Sequence, residues 1–168
     1  MTHQIATSVN ARQTVEEAFD HILEANLASV KEFEPVALAG EDIEGVHQMR
    51  VGLRRMRSSL NVFRVAIPRK LSRPLAKEMR WAARTLDGAR DLDVYITENF
   101  PEKGGKYQQQ MQRIARDHRE EAYSRVKGIV QSKRYLAFNR KIVNWLDTKA
   151  WREQLSEEER KVLRRKIT

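Results

Sequence analysis

Residues 46–67 carry two neighbouring stripes of side chains whose spacing fits an α-helix. The apolar stripe advances in alternating steps of three and four residues, which places its members on one helix face: Val46, Met49, Leu53, Met56, Leu60, Phe63 and Ile67. A basic stripe follows one residue later, at His47, Arg50, Arg54, Arg57 and Arg64. One residue is a rotation of about 100°, so the basic stripe runs beside the buried face rather than opposite it.

The charge of this region points to an anionic partner. The whole chain has a formal net charge of +9. Between His47 and Arg90 there are 12 Lys and Arg residues and only two acids, Glu78 and Asp87, whereas the rest of the chain is nearly neutral. A concentrated field of one sign predicts a polyanionic partner. The candidates are a nucleic acid, an acidic membrane surface and a phosphate polymer.

Length and composition exclude several other classes. The 168 residues suit one helical domain over residues 1–168, large enough to bury a core. The absence of cysteine excludes disulfides and thiolate chemistry. No apolar run approaches the roughly 20 residues of a membrane span, and no glycine-rich phosphate loop of the Walker type occurs. We therefore expect a cytoplasmic protein without a membrane partner, a bound metal or a cofactor.

Helical spacing continues along the chain and predicts an all-α fold, an antiparallel bundle resembling a four-helix bundle. A capping box at Thr14 and Glu17 opens the first helix, and Pro35 is predicted to stop it. The striped helix starts near Ile43 and ends at Pro68. The third helix is expected to begin at Ser72–Pro74 and to be interrupted near Asp87–Gly88.

The second half of the chain gives three further helices. The fourth is predicted from Tyr107 to Val130, with His118 buried in its apolar stripe. Ser132 is expected to cap the fifth. A capping box at Ser156 opens a charged terminal helix within residues 148–168, with little apolar surface of its own, and residues 147–154 are expected to form a hinge before it.

The striped helix resembles the signature of the CHAD family, the conserved-histidine α-helical domains. That signature is approximately His-x-x-Arg-Val-x-x-Arg-Arg-x-Arg-x-x-Leu-x-x-Phe, and it is matched here by His47, Arg50, Val51, Arg54, Arg55, Arg57, Leu60 and Phe63. Residues 78–81 and 86–94 are similar to the family's second block, and residues 132–135 to a weaker third block. The resemblance covers about residues 10–147, with residues 148–168 as a link toward a second half of the fold.

This resemblance implies a non-catalytic module that binds inorganic polyphosphate, in the cytoplasm and at polyphosphate granules. The implied binding residues are His47, Arg50, Arg54, Arg55, Arg57, Arg80 and Arg90. We add Arg84 to the predicted site, because its spacing puts it on the same helix face as Arg80. Arginine suits such a ligand because its planar guanidinium donates two parallel hydrogen bonds to a phosphate. Two other functions stay open: a nucleic-acid-binding helical protein, and an accessory domain of a phosphate-ester or triphosphate hydrolase.

The chain departs from the family pattern in two ways. Asp87 stands where the family usually has glycine. The family fold contains two related bundles, whereas this chain has a single His-x-x-Arg helix of the signature type. We therefore expect half of a duplicated fold, completed by a second half or by a second copy in a homodimer. For Asp91 and Asp93 we expect a structural role, with Asp91 orienting a nearby arginine, rather than metal binding.

Overall fold

The computed structural model describes residues 9–100 and 104–167, which form six α-helices. Their bounds are α1 Val15–Ala39, α2 Glu44–Val62, α3 Arg69–Asn99, α4 Lys106–Val130, α5 Lys133–Thr148 and α6 Glu157–Arg164. Short 3-10 helices occupy Phe63–Val65 and Ala150–Gln154. The described part of the chain contains no strand, so the all-α prediction is confirmed.

The first four helices form a closed bundle. α1 packs against α2, α2 against α3, α3 against α4, and α4 returns to α1. Short connections between successive helices give neighbours that run antiparallel. α5 covers the side formed by α3 and α4. In this order α2 and α3 are adjacent, and α4 lies diagonally opposite α2.

The apolar stripe of α2 lies in the core of the bundle, as its spacing predicts. Val46, Met49, Leu53 and Met56 are fully buried, and Leu60 is nearly so. The predicted inward face of α3 is also buried, at Leu75, Met79, Ala82 and Leu86. Because the buried stripe fixes the rotation of α2 about its axis, it also fixes the direction of the basic stripe beside it.

Four predicted helix boundaries are wrong. α2 was expected to reach Pro68, but it ends at Val62 and is followed by the 3-10 helix Phe63–Val65. α1 continues through Pro35 to Ala39, α3 begins at Arg69 with Pro74 inside it, and α3 runs without interruption through Gly88. A proline inside a helix removes one backbone hydrogen bond, and burial of Ala37 beyond Pro35 and of Leu75 beyond Pro74 offsets that loss. Gly88 is tolerated because a single glycine in a helix costs only about 1 kcal/mol relative to alanine.

α1 and α2 approach each other closely where α2 has glycine. A Cβ added at Gly45 would lie 2.4 Å from the backbone nitrogen of Ala37, and one added at Gly52 would lie 2.6 Å from a methyl group of Val30. The obstacle at Gly45 is backbone, which cannot rotate out of the way. By contrast, a Cβ at Gly88 would meet no atom within 4 Å.

Two glycine substitutions should therefore change stability in opposite directions. We expect Gly45→Ala to lower the free energy of unfolding by about 1–3 kcal/mol, because the added methyl overpacks the contact between α1 and α2. Gly88→Ala should raise it by about 0.5–1 kcal/mol, because it removes backbone entropy from the unfolded chain at an open helical position. Urea titration followed by circular dichroism measures both, and equal effects would contradict the close contact.

The C-terminal segment docks on α1, although residues 147–154 were expected to form a hinge. Trp151 is buried and packs against Phe19 and Trp145, with ring centroids 6.3 and 5.2 Å away. Lys149 pairs with Asp20 and Arg152 with Glu16. The backbone nitrogen of Val15 donates to the carbonyl of Arg165 over 2.8 Å. The predicted capping box at Ser156 is present at the start of α6.

Candidate functional site

A basic groove of about 510 Å³ lies between α2 and α3. The side chains of its walls that can carry positive charge are His47, Arg50, Arg54 and Arg57 from α2, and Arg80 and Arg84 from α3. Val51 and Ala83 also line it. Six of the eight predicted binding residues are therefore brought together, although the two groups come from separate helices.

Arg55 and Arg90 lie outside this groove. Arg55 is one residue, or a rotation of about 100°, from Arg54, and it lines a shallow depression on the α1 side of α2 with Ile22 and Asn26. Arg90 is ten residues beyond Arg80, which turns it about 80° around α3 from that arginine, and it is not among the residues that line the groove. Each of these arginines matches a family position, but neither contributes to the groove.

Asp87 is a member of the groove that the sequence interpretation assigned only to a turn. Its Oδ1 accepts a hydrogen bond from Arg50 Nε over 2.9 Å, and Arg50 Nη2 lies 2.7 Å from the same oxygen. The two side chains remain partly exposed, at 34% for Arg50 and 44% for Asp87. The spacing of Arg80, Arg84 and Asp87 is four and then three residues, which places them on one helix face and is the signal that could have identified Asp87.

The other four arginines of the groove have no counter-charge among the described residues. Arg54, Arg57, Arg80 and Arg84 make no ion pair within 9–100 and 104–167. Cations that face one another repel, so the groove holds a positive potential that a bound anion would relieve.

Glu78, the remaining acid between His47 and Arg90, is already paired with α5. Arg134 donates from Nε and Nη2 to its two carboxylate oxygens over 2.8 and 3.2 Å. These hydrogen bonds lower the pKa of Glu78 below its ordinary value. The same guanidinium stacks over the ring of Trp81 at 4.0 Å. Glu78 thus fastens α5 to α3 and is not among the residues that line the groove.

His47 lies on the groove wall near the start of α2. Its Nδ1 is buried and has no hydrogen-bond partner among the described residues. Buried polar atoms are usually paired, so packing within the described fold does not account for this nitrogen. The imidazole lines the same wall as Arg50, which is three residues further along α2.

A structural role was expected of both Asp91 and Asp93, but the carboxylate that orients an arginine is Asp93 and not Asp91. Asp91 is exposed, whereas Asp93 is 1% exposed. Arg119 Nε donates to Asp93 Oδ1 over 2.6 Å, and the Tyr123 hydroxyl donates to Oδ2 over 2.7 Å. Arg119 also donates to the carbonyl of Gly40 over 3.0 Å, so the network joins α3, α4 and the end of α1.

The prediction of a buried His118 is wrong. Its side chain is 63% exposed and lies 3.8 Å from Glu121. The next residue, Arg119, is the one that turns inward, toward Asp93. Within the described ranges no three His, Asp or Glu side chains gather at metal-binding distance.

The sequence matches a known protein family over most of its length. A CHAD domain model matches residues 21–168. The chain belongs to the CHAD family. The first CHAD block lies on α2 and the second on α3, so the two blocks face each other across the groove.

A solved structure agrees with this assignment. The crystal structure of the CHAD domain from the plant Ricinus communis is similar to this chain with a TM-score of 0.76 and 26% sequence identity. The match covers 89% of this chain and 50% of the plant chain, so this chain spans about half the length of that CHAD structure. No curated protein matches the chain significantly. None of the described helices is long and apolar enough to cross a membrane.

Because Asp87 already holds Arg50, removing its charge should strengthen anion binding. We expect Asp87→Asn to raise the affinity for long-chain polyphosphate roughly two- to fivefold, the effect of an exposed ion pair worth up to about 1 kcal/mol. Calorimetric titration measures this affinity. Asp91→Asn, which removes the same charge from an exposed position on α3, is the control. Equal gains in both variants would mean that only net charge matters.

Proposed function

We propose that this CHAD domain is a non-catalytic module that binds inorganic polyphosphate in the groove between α2 and α3. The observation that carries the proposal is the convergence of Arg54, Arg57, Arg80 and Arg84 on one groove without an acidic partner among the described residues. Guanidinium groups at successive helical turns, about 5 Å apart along the axis, suit a ligand that repeats its negative charge along an extended chain.

The lining of the groove favours a phosphate chain over a nucleic acid. Proteins that hold single-stranded nucleic acids combine a positive groove with aromatic side chains on which the bases stack. The residues between the arginines here are Val51 and Ala83, and none of the aromatic residues that the structure describes lines this groove. Trp81, the aromatic neighbour of Arg80 in sequence, is instead covered by Arg134. A phosphate chain has no bases, so it needs no aromatic side chains in the groove.

If the protein binds polyphosphate, we expect to find it where this polymer accumulates, in the cytoplasm and at polyphosphate granules. It assigns no covalent step to the groove. Arg50, Arg54, Arg57, Arg80 and Arg84 would donate hydrogen bonds to phosphate oxygens, and His47 would donate from the end of the groove nearest the start of α2. Binding would displace Asp87 from Arg50. The protein would therefore lose one internal ion pair when the ligand binds.

A competition experiment tests the proposal. Labelled long-chain polyphosphate is bound to the protein near physiological ionic strength, and unlabelled polyphosphate, duplex DNA, RNA and heparin are added at equal total charge. We expect unlabelled polyphosphate to displace the label at the lowest concentration, because its phosphates approach the arginines without intervening sugars. Displacement by duplex DNA or RNA at equal or lower concentration would assign the groove to nucleic acid instead.

A further inference from the structure

A second basic groove lies where α2 ends and α3 begins. Its volume is about 800 Å³, and its basic residues are Arg57, Arg69, Lys70, Arg73 and Arg80. Arg57 and Arg80 also line the groove described above, so the two grooves meet at these side chains. The CHAD signature ends at Phe63, and Arg69, Lys70 and Arg73 lie beyond it.

The cations of this second groove have no counter-charge among the described residues. Arg69 Nη2 donates to the neutral amide oxygen of Asn61 over 2.8 Å. Within the described ranges, Arg69, Lys70 and Arg73 make no ion pair. They also surround the positive end of the 31-residue helix α3, whose first turn has no acidic residue and whose start has no side-chain cap. Cations at a helix N-terminus are unfavourable, so the isolated fold gains no stability from this placement.

Ser72 adds a hydroxyl to the lining of the second groove. The residue is 3% exposed and lines this groove beside Arg69 and Arg73. A hydroxyl can donate a hydrogen bond to an anionic oxygen. Ser72 thus adds a neutral donor to a groove whose charged groups are cations.

The two grooves follow one line along the antiparallel helices. Along the two grooves, residue numbers increase from His47 to Asn61 on α2 and decrease from Asp87 to Arg69 on α3. At 1.5 Å per residue these segments are about 21 and 27 Å long. The first groove ends at Arg57 on α2 and at Arg80 on α3. The second groove continues the basic lining along α3 through Arg73 to Arg69, while its α2 wall beyond Arg57 carries the neutral polar residues Ser58 and Asn61.

We propose that the second groove extends the polyphosphate track, so that Arg69, Arg73 and Ser72 hold phosphates beyond those bound by the first groove. This inference rests on the proposed function and adds a preference for long chains to it. A short phosphate oligomer fills one groove, whereas a long chain engages both at once, and the second contact is then made at high effective concentration.

The experiment compares tripolyphosphate with long-chain polyphosphate on the wild-type protein and on Arg69→Gln/Arg73→Gln. Affinity is measured by calorimetry per protein molecule. The control is Arg116→Gln/Arg125→Gln, which removes two exposed charges from α4, the helix diagonally opposite α2. We expect the groove variant to lose about tenfold or more in affinity for the long chain, the effect of at least one charged hydrogen bond, and the α4 control to lose much less.

The outcomes separate the extension from the function itself. If the groove variant retains the full wild-type advantage of long chain over tripolyphosphate, the extension is wrong while polyphosphate binding stands. If the wild-type protein binds neither ligand, the proposed function is wrong. The melting temperature without ligand should be unchanged or slightly higher in the groove variant, because cations have been removed from the positive end of α3. A lower melting temperature would assign these arginines to the fold and overturn the extension.

Discussion

Arg54→Glu should lose about tenfold or more in affinity for long-chain polyphosphate, whereas Arg55→Glu should lose much less. Both substitutions reverse one charge on an exposed residue of α2, and the two positions are adjacent in sequence. Arg54 lines the groove and Arg55 lies on the α1 side of the helix. A hydrogen bond to a charged group contributes about 1.5–3 kcal/mol, and the new carboxylate would also repel the ligand.

A second control separates the groove from bulk charge. Lys161→Glu/Arg165→Glu changes twice as much charge as Arg54→Glu but does so at the C-terminal segment, where Lys161 is already paired with Glu158. Calorimetric titrations near physiological ionic strength, where the Debye length is about 8 Å, limit the effect of distant charges. Circular dichroism and thermal melts first establish that all variants are folded. If the terminal double variant lost more affinity, or if Arg54→Glu and Arg55→Glu lost equal affinity, the ligand would not bind in the groove between α2 and α3.

Asp93→Asn should cause the largest loss of stability among the substitutions considered. We expect the free energy of unfolding to fall by about 2–4 kcal/mol, because removing one partner of a buried ion pair leaves the other charge uncompensated. Arg119, which is 22% exposed at its side chain, would keep only the Gly40 carbonyl and the Tyr123 ring as described contacts. For a chain of this length the melting temperature should fall by roughly 5–15 °C.

Asp91→Asn is the matched control for this prediction, because it makes the same chemical change two residues away at an exposed position. Its effect should lie within about 0.5 kcal/mol of zero. The double variant Asp93→Asn/Arg119→Gln should recover part of the loss, since it removes the uncompensated cation as well. Urea unfolding of the four proteins measures these values. Similar stabilities for the Asp91 and Asp93 variants would show that the network does not hold α3, α4 and α1 together.

Burial and the hydrogen bond to Asp93 both raise the pKa of Tyr123 above its ordinary value. The phenol therefore stays protonated through the neutral range and can donate to Asp93 throughout it. This donor, together with Arg119, explains how a carboxylate is accommodated at the interface of three helices.

Local patterns in the sequence determined much of this molecule. The rotation of α2, the burial of Met49 and Leu53, and the capping boxes at Thr14 and Ser156 all depend on residues within one or two helical turns of each other. The basic stripe could be predicted for the same reason, because its angle from the buried stripe is fixed by the helix itself. Its first four members, His47, Arg50, Arg54 and Arg57, all line the groove.

Only the tertiary structure decided which residues meet. Arg50 and Asp87 are 37 residues apart, and Asp93 and Arg119 are 26 apart, so neither pair leaves a periodic signal in the sequence. The packing of α2 against α3 brings Arg80 and Arg84 into the groove and leaves Arg90 outside it. Arg55 is outside for a local reason, because its position on α2 turns it toward α1. Packing also overrode local signals at Pro35 and Pro74, because burial further along each helix outweighs one missing backbone hydrogen bond. Spacing along one helix thus determines its faces, whereas contacts between helices determine which of those faces form a site.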